Sequence, residues 1–289
     1  MLIVQLKGGL GNQLFQYAAG LSLADHLNTT IKVDISELNK ADKQIKTFRT
    51  FDLQSILLNP EVATAEELKP FEKSILFRVL RKLNISYIRN IYREPSFRFD
   101  PNFFERKDGI YLEGYRQSEK YFLPIEQKIR NGFQLKPEVI KNVQDLAAKL
   151  RSENSVSVHI RRGDYNNPIV RSYHGVLDEN YFQHAINILE SKISNATFYV
   201  FSDDPSWVKE HLNFSSPFEL VSGTYSKTHF EDLYLISQCR NNIIANSTFS
   251  WWAAWLNPNK EKLVIAPKKW FNQAPHDTSD LIPDSWIKI

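Results

Sequence analysis

Apolar and polar positions alternate along this chain in two rhythms. Residues 1–6 (MLIVQL) form a short apolar run of the kind a buried strand needs. A glycine turn follows (Gly8, Gly9, Gly11), and over 12–26 apolar residues such as Leu14, Ala18 and Leu21 recur at helical spacing. Residues 31–35 (IKVDI) predict a second strand, and strand, turn, helix, strand opens a doubly wound α/β layer. Over 38–108 the rhythm is lost among charged and aromatic stretches, with a helical pattern at 74–83; 110–113 predicts a strand and 119–130 a helix.

From about Pro137 the alternation is regular. Helices are predicted at 137–150, 178–191 (with Asp178 as N-cap), 205–212, 231–239 and 248–256, between strands at 156–160, 197–201, 218–221, 242–245 and 263–266. Strands that alternate with helices of this length build a parallel sheet. The expected architecture is therefore α/β, with two Rossmann-like domains facing a central cleft, 1–135 and 136–289.

Composition narrows the class. The chain has 289 residues, 42% of them hydrophobic, enough to bury real cores. Its 36 basic and 33 acidic residues leave a net charge of only +3, which argues against a nucleic-acid binder. Cys239 is the sole cysteine, so no intrachain disulfide forms, and in an apolar run it reads as a small buried hydrophobe. The first residues lack a basic region and a cleavage site, and no apolar run is long enough to span a membrane. The expectation is a soluble cytoplasmic protein.

Four segments carry candidate chemistry. In His159-Ile160-Arg161-Arg162-Gly163-Asp164, an extended backbone sends Val156, Val158 and Ile160 to one face and His159 and Arg161 to the other. The carboxyl end of a parallel strand opens on the binding crevice, where an arginine fork suits a phosphate. On this reading Arg162 pairs with Asp164 as a brace; on the other, all these charges cap the strand end. The second segment is the Gly9-x-Gly11 turn, with Asp34 ending the next strand. It resembles a dinucleotide fingerprint, yet Leu14 holds the third glycine position. Asn12 and Gln13 then either present amides to the crevice or, for Asn12, cap the helix.

The third segment, Asn246-Ser247-Thr248-Phe249-Ser250-Trp251-Trp252, opens a helix with small hydroxyl residues and offers an anion its first amides. Trp251, Trp252 and Trp255 read as packing beneath that helix. Upstream, Asp232 serves either the preceding helix dipole or a purine's N–H donors. The fourth is Ser202-Asp203-Asp204. Adjacent carboxylates on an extended chain face opposite ways, unlike a metal-binding Asp-x-Asp, and Pro205 makes one of them a helix N-cap.

Together these segments resemble glycosyltransferase family 11, the α-1,2-fucosyltransferases, especially its short bacterial members. The matching stretches are GGLGNQLFQYA (8–18), YLEGY (111–115) with Gln117-Ser118-Glu119, HIRRGDY (159–165), 243–256 and APKKW (266–270). The resemblance implies a GT-B-type fold. It implies GDP-β-L-fucose as donor and inverting transfer to the 2-hydroxyl of a terminal galactose, with no metal and no cofactor. The acceptor would be an oligosaccharide or a lipid-linked glycan, reached by peripheral association with the inner membrane. It places Arg161 on the diphosphate, His159 and Asp232 on the guanine side, Ser247, Thr248 and Phe249 against the phosphates, Gly11 among the donor-binding residues, and Asn12 on the donor and by the reacting centre. No carboxylate follows within 165–177, so either Asp164, His174 or a residue of the first domain receives the acceptor's proton, or departure of the diphosphate leads and Asn12 only orients the nucleophile. An NAD(P)-dependent oxidoreductase built on Gly9-x-Gly11 and Asp34 is the rival reading.

Overall fold

The computed structural model describes residues 1–38, 49–71, 90–163, 175–272 and 277–289. The predicted helix at 74–83, and the candidates Asp164 and His174, lie outside the described residues.

Two parallel sheets organise the described chain. The first has the order β2-β1-β4-β3, from β1 (Leu2–Gln5), β2 (Ile31–Asp34), β3 (Ile91–Arg93) and β4 (Tyr111–Glu113). The second has the order β10-β9-β8-β5-β6-β7, from β5 (Ser155–Ile160), β6 (Thr197–Ser202), β7 (Phe218–Leu220), β8 (Asn241–Ile243), β9 (Val264–Ala266) and β10 (Ile287–Lys288). The chain is thus α/β with parallel sheets, as its periodicity predicts. β3 and β10 are additions: β3 lies in the 38–108 stretch where the rhythm is lost, and β10 has only two residues.

The helices between them are α1 (Leu10–His26), α2 (Glu126–Gly132), α3 (Gln144–Ser152), α4 (Glu179–Lys192), α5 (Pro205–His211), α6 (His229–Gln238) and α7 (Thr248–Leu256). Asp178 caps α4 by accepting the Tyr181 N–H at 3.1 Å, as expected. Two predicted helices are instead broken. Pro124 stands in the 119–130 stretch, which runs as two 3-10 turns before α2. The 137–150 stretch divides at Ile140 and Val143, whose backbones leave helical values while their side chains are buried.

Packing links the two halves. Val156, Val158 and Ile160 face Phe182, Ile186 and Leu189 of α4 and Trp207 and Val208 of α5, in one cluster. The opposite side of the same sheet joins a larger cluster that runs on into the first sheet's layer. Its centre is aromatic: Phe15 of α1 lies 4.5 Å from Trp251 and 5.0 Å from Trp252 of α7, ring centre to ring centre. Trp251, Trp252 and Trp255 are all buried under α7. Such rings bury 150–250 Å² each, so α1 and α7 are held as a rigid pair.

Candidate active site

The site begins where α1 and α7 meet. α1 starts at Leu10, two residues before the expected position, and its N-cap is Gly9. Asn12 therefore lies inside the first turn and is not the cap. Gly11 sits directly on the start of α7: a Cβ there would lie 2.4 Å from the Thr248 carbonyl carbon and 2.6 Å from the Phe249 nitrogen. Only glycine permits two backbones to approach this closely. The amino ends of two helices, each with amides unpartnered inside the helix, are thereby brought together. Ser247 caps α7 by accepting the Phe249 N–H, so its hydroxyl serves the helix first.

The neighbouring amides are committed differently. Gln13 is fully buried, gives its Nε2 to the carbonyls of Gly8 and Thr50, and accepts the Asp52 N–H at 3.0 Å. It staples the glycine turn to the 50–52 segment and does not face the crevice as expected. Asn12 receives a hydrogen bond on Oδ1 from Gln117 Nε2 at 2.8 Å.

On the second sheet, His159, Arg161, Asp232 and Phe249 line one cavity of about 320 Å³, together with Ser222, Ser226, Lys227 and His229. The period-2 reading of β5 holds: His159 faces this cavity, its ring 5.3 Å from Phe249, while Ile160 faces the α4 cluster. His159 is 8% exposed, and its Nδ1 is buried without a hydrogen-bond partner. Burial, then the positive field of Arg161, lowers its pKa to about 3, so it is neutral near pH 7.

Asp232 is in the first turn of α6, whose cap is a reciprocal Thr228–Glu231 box, so it stands at the helix's positive end as well as on the cavity. Its two oxygens accept hydrogen bonds from Ser222 (2.8 Å) and Ser226, and burial pushes its carboxyl above the ordinary aspartate value. The 221–226 turn, with Gly223 in the left-handed region at φ 79°, supplies those serines. Sequence reading missed this wall; its signal is the Ser-Gly-Thr-Tyr-Ser turn itself.

Asp203 and Asp204 are both engaged in structure. Asp203 accepts the amides of Arg162 and Gly163, each at 2.8 Å, and a Cβ at Gly163 would meet it at 2.8 Å. Asp204 caps α5 by accepting the Trp207 N–H at 3.1 Å. Arg162 lies over the Trp207 ring at 4.2 Å with its Nε 3.5 Å from Asp204. Arg162 is therefore a brace, against Trp207 and Asp204; the expected pairing with Asp164 falls outside the described residues. Among the described residues no group of three His, Cys, Asp or Glu side chains could hold a metal ion.

A larger hollow of about 1020 Å³ opens at the far end of α7. It contains none of these residues, and its cations Arg130 and Lys262 donate to the terminal carbonyls of Trp255 (2.5 Å) and Asn257 (2.7 Å). The smaller cavity is the better candidate, because it unites residues from β5, α6 and α7.

The sequence profile described as Glycosyl transferase family 11 matches residues 1–289. The chain belongs to this family. Its relatives include an α-1,2-colitosyltransferase of Escherichia coli, 32% identical over 100% of this chain and 99% of that one. A galactoside 2-α-L-fucosyltransferase of Caenorhabditis elegans is 30% identical over 100% of this chain and 79% of its own length. Among solved structures, Arabidopsis thaliana FUT1 in complex with GDP superposes with a TM-score of 0.53 at 11% identity, over 91% of this chain and 69% of that one. The shared fold is GT-B-like, as expected.

The oxidoreductase reading finds no support in this family 11 chain. Asp34 is 5% exposed and accepts from Tyr111 Oη (2.6 Å), Ser36 N and Ser36 Oγ, which leaves it occupied where a ribose would need it. Among the described residues no helix is long and apolar enough to cross a membrane.

Proposed function

We propose that this family 11 glycosyltransferase is an inverting fucosyltransferase that moves L-fucose from GDP-β-L-fucose to the 2-hydroxyl of a terminal galactose. The observation that carries the reading is the cavity shared by His159, Arg161, Asp232 and Phe249, which come from three separate elements. A carboxylate braced by two serines suits the N–H edge of a guanine, and neutral His159 offers a ring nitrogen beside it. Arg161 and the amino end of α7 suit the diphosphate, on which negative charge grows as the sugar departs.

In this reading no metal is required. The Asp203 and Asp204 carboxylates already serve the Arg162, Gly163 and Trp207 amides, and Arg161 with the α7 amides meets the leaving charge. Residues 136–289 hold the donor, while 1–135 present a galactose-terminated oligosaccharide or lipid-linked glycan. Gly11 brings Asn12 to the boundary between them. Asp164 and His174 remain the candidates for the acceptor's proton. The Escherichia coli relative favours a second donor reading, a colitosyl group in place of fucose.

Titration with GDP, followed by measurement of GDP released from GDP-fucose with galactose-terminated acceptors, tests the proposal. Binding and acceptor-dependent release are expected. Absence of both removes it.

A further inference from the structure

Each sheet fixes the turn at its carboxyl edge by the same device. In the second sheet, Ile160 of β5 pairs with Ser202 of β6; one residue beyond β6, Asp203 holds the amides two and three residues beyond β5. In the first sheet, Glu113 of β4 pairs with Arg93 of β3. One residue beyond β3, Glu94 accepts the amides of Tyr115 (2.7 Å) and Arg116 (2.8 Å), two and three residues beyond β4. The offsets are identical. In the second sheet the clasped turn directly follows Arg161. In the first it delivers Gln117.

This first-sheet turn is tightly determined. Gly114 has φ 135°, and a Cβ there would meet Glu94 at 2.5 Å. Arg116 is fully buried in the left-handed region (φ 51°), and its guanidinium donates to the Glu113 carbonyl at 2.8 Å and to that of Gly114 at 3.3 Å. A non-glycine residue in that region is uncommon and persists where its surroundings over-determine it. The result is Gln117, 6% exposed, with Nε2 on Asn12 Oδ1 and its own Oε1 buried and unpartnered. A glutamine retained only for packing would satisfy both ends of its amide, since an unmet buried acceptor is costly.

An asparagine amide has one accepting oxygen and one donating nitrogen group. Gln117 donates to the oxygen and so fixes which way the amide faces. The nitrogen group is left on the side of the glycine turn, where a Cβ at Gly8 would lie 2.5 Å from Asn12 Nδ2. Resting on the transferase reading above, we propose that Gln117, held by the Glu94 clasp, is a positioning residue that makes Asn12 meet the substrates as a hydrogen-bond donor. A donor orients an acceptor oxygen or a phosphate oxygen; it does not remove a proton. A neutral carboxamide is in any case too weakly basic to take the acceptor's proton, so the role left to Asn12 is orientation.

The test is a double-mutant cycle at Asn12 and Gln117 in the full chain, with GDP-fucose, a galactose-terminated acceptor and calorimetric titration of GDP. Gln117→Ala is expected to lower kcat by about 10–100-fold, since misplacement by about 1 Å can cost 10²-fold, with GDP affinity kept within about two-fold. Gln117→Glu, nearly the same shape, presents only acceptors to Asn12, turns its amide over and should fall below Gln117→Ala. In an Asn12→Ala background, Gln117→Ala should cost almost nothing more, because the two act as one unit. Wild-type kcat in either single variant, or losses that multiply in the double variant, overturns the proposal. If Gln117→Ala does not fold, the glutamate variant decides alone. A wild-type chain that leaves GDP-fucose untouched overturns the transferase reading itself, and this inference with it.

Discussion

Gly11→Ala asks whether the two helix ends are truly held against each other. Gly11 is in α1, where its backbone is helical, so an exposed site would gain from alanine by about 1 kcal/mol. Here the added carbon would lie 2.4–2.6 Å from three backbone atoms of Thr248 and Phe249. Ordinary carbon contacts are about 3.5–4.0 Å, so α1 and α7 must separate by about 1 Å. Forcing an extra methyl into a filled space costs about 1–3 kcal/mol, which the helix propensity partly offsets. The net loss is about 0–2 kcal/mol, a fall of at most several degrees in Tm at roughly 2–4 °C per kcal/mol. The effect on turnover is much larger, because a 1 Å shift in a site can cost about 10²-fold. Thermal melting and kcat for transfer from GDP-fucose measure the two separately. A variant with a raised Tm and unchanged kcat would refute the close approach.

Three further outcomes follow from the same geometry. Arg161→Ala should lose about 10²–10³-fold in kcat as a charge-stabilising group, whereas Arg162→Ala should lower stability by about 1–2 kcal/mol through its Trp207 and Asp204 contacts and leave GDP affinity intact; equal affinity losses at unchanged stability would contradict the strand geometry. Asp203→Ala should destabilise by about 1–2 kcal/mol, because two exposed amides exchange a charged acceptor for water, while EDTA leaves wild-type turnover unchanged; inactivation by EDTA would make this carboxylate pair a metal site after all. His159, with a folded pKa of about 3 against an ordinary 6.5, remains neutral while the unfolded chain takes up a proton. Its contribution is therefore whole above pH 6.5 and lost as pH falls towards 3, at up to about 1.4 kcal/mol per pH unit. In denaturant melts between pH 7 and 5, His159→Asn should show a shallower decline than wild type; parallel declines would refute the buried neutral state.

Much of this was legible in the chain. β5, β6 and the helices around them announce themselves, because an interior parallel strand needs a continuous apolar run and its covering helix needs an apolar stripe. Period 2 alone separated His159 from Ile160. What stayed hidden was local structure set by distant partners. Gln13 looks like a crevice amide until its carbonyl partners at Gly8 and Thr50 are known. Asn12 looks like a cap until Gln117, 105 positions away, is seen to hold it. The Asp203 clasp depends on the register of β5 with β6, which no local pattern encodes. Pro124 could have warned that 119–130 is not one helix, since proline deprives a helix interior of a donor.

The central claim is most directly tested by the structure of the product. Purified protein incubated with GDP-β-L-fucose and a panel of lactose, N-acetyllactosamine, lacto-N-biose and galactose, with linkage read by NMR, should give α-linked fucose on the galactose 2-hydroxyl of at least one acceptor, and none from Arg161→Ala. Fucose at another position, or no transfer to any acceptor while GDP still binds, would contradict it.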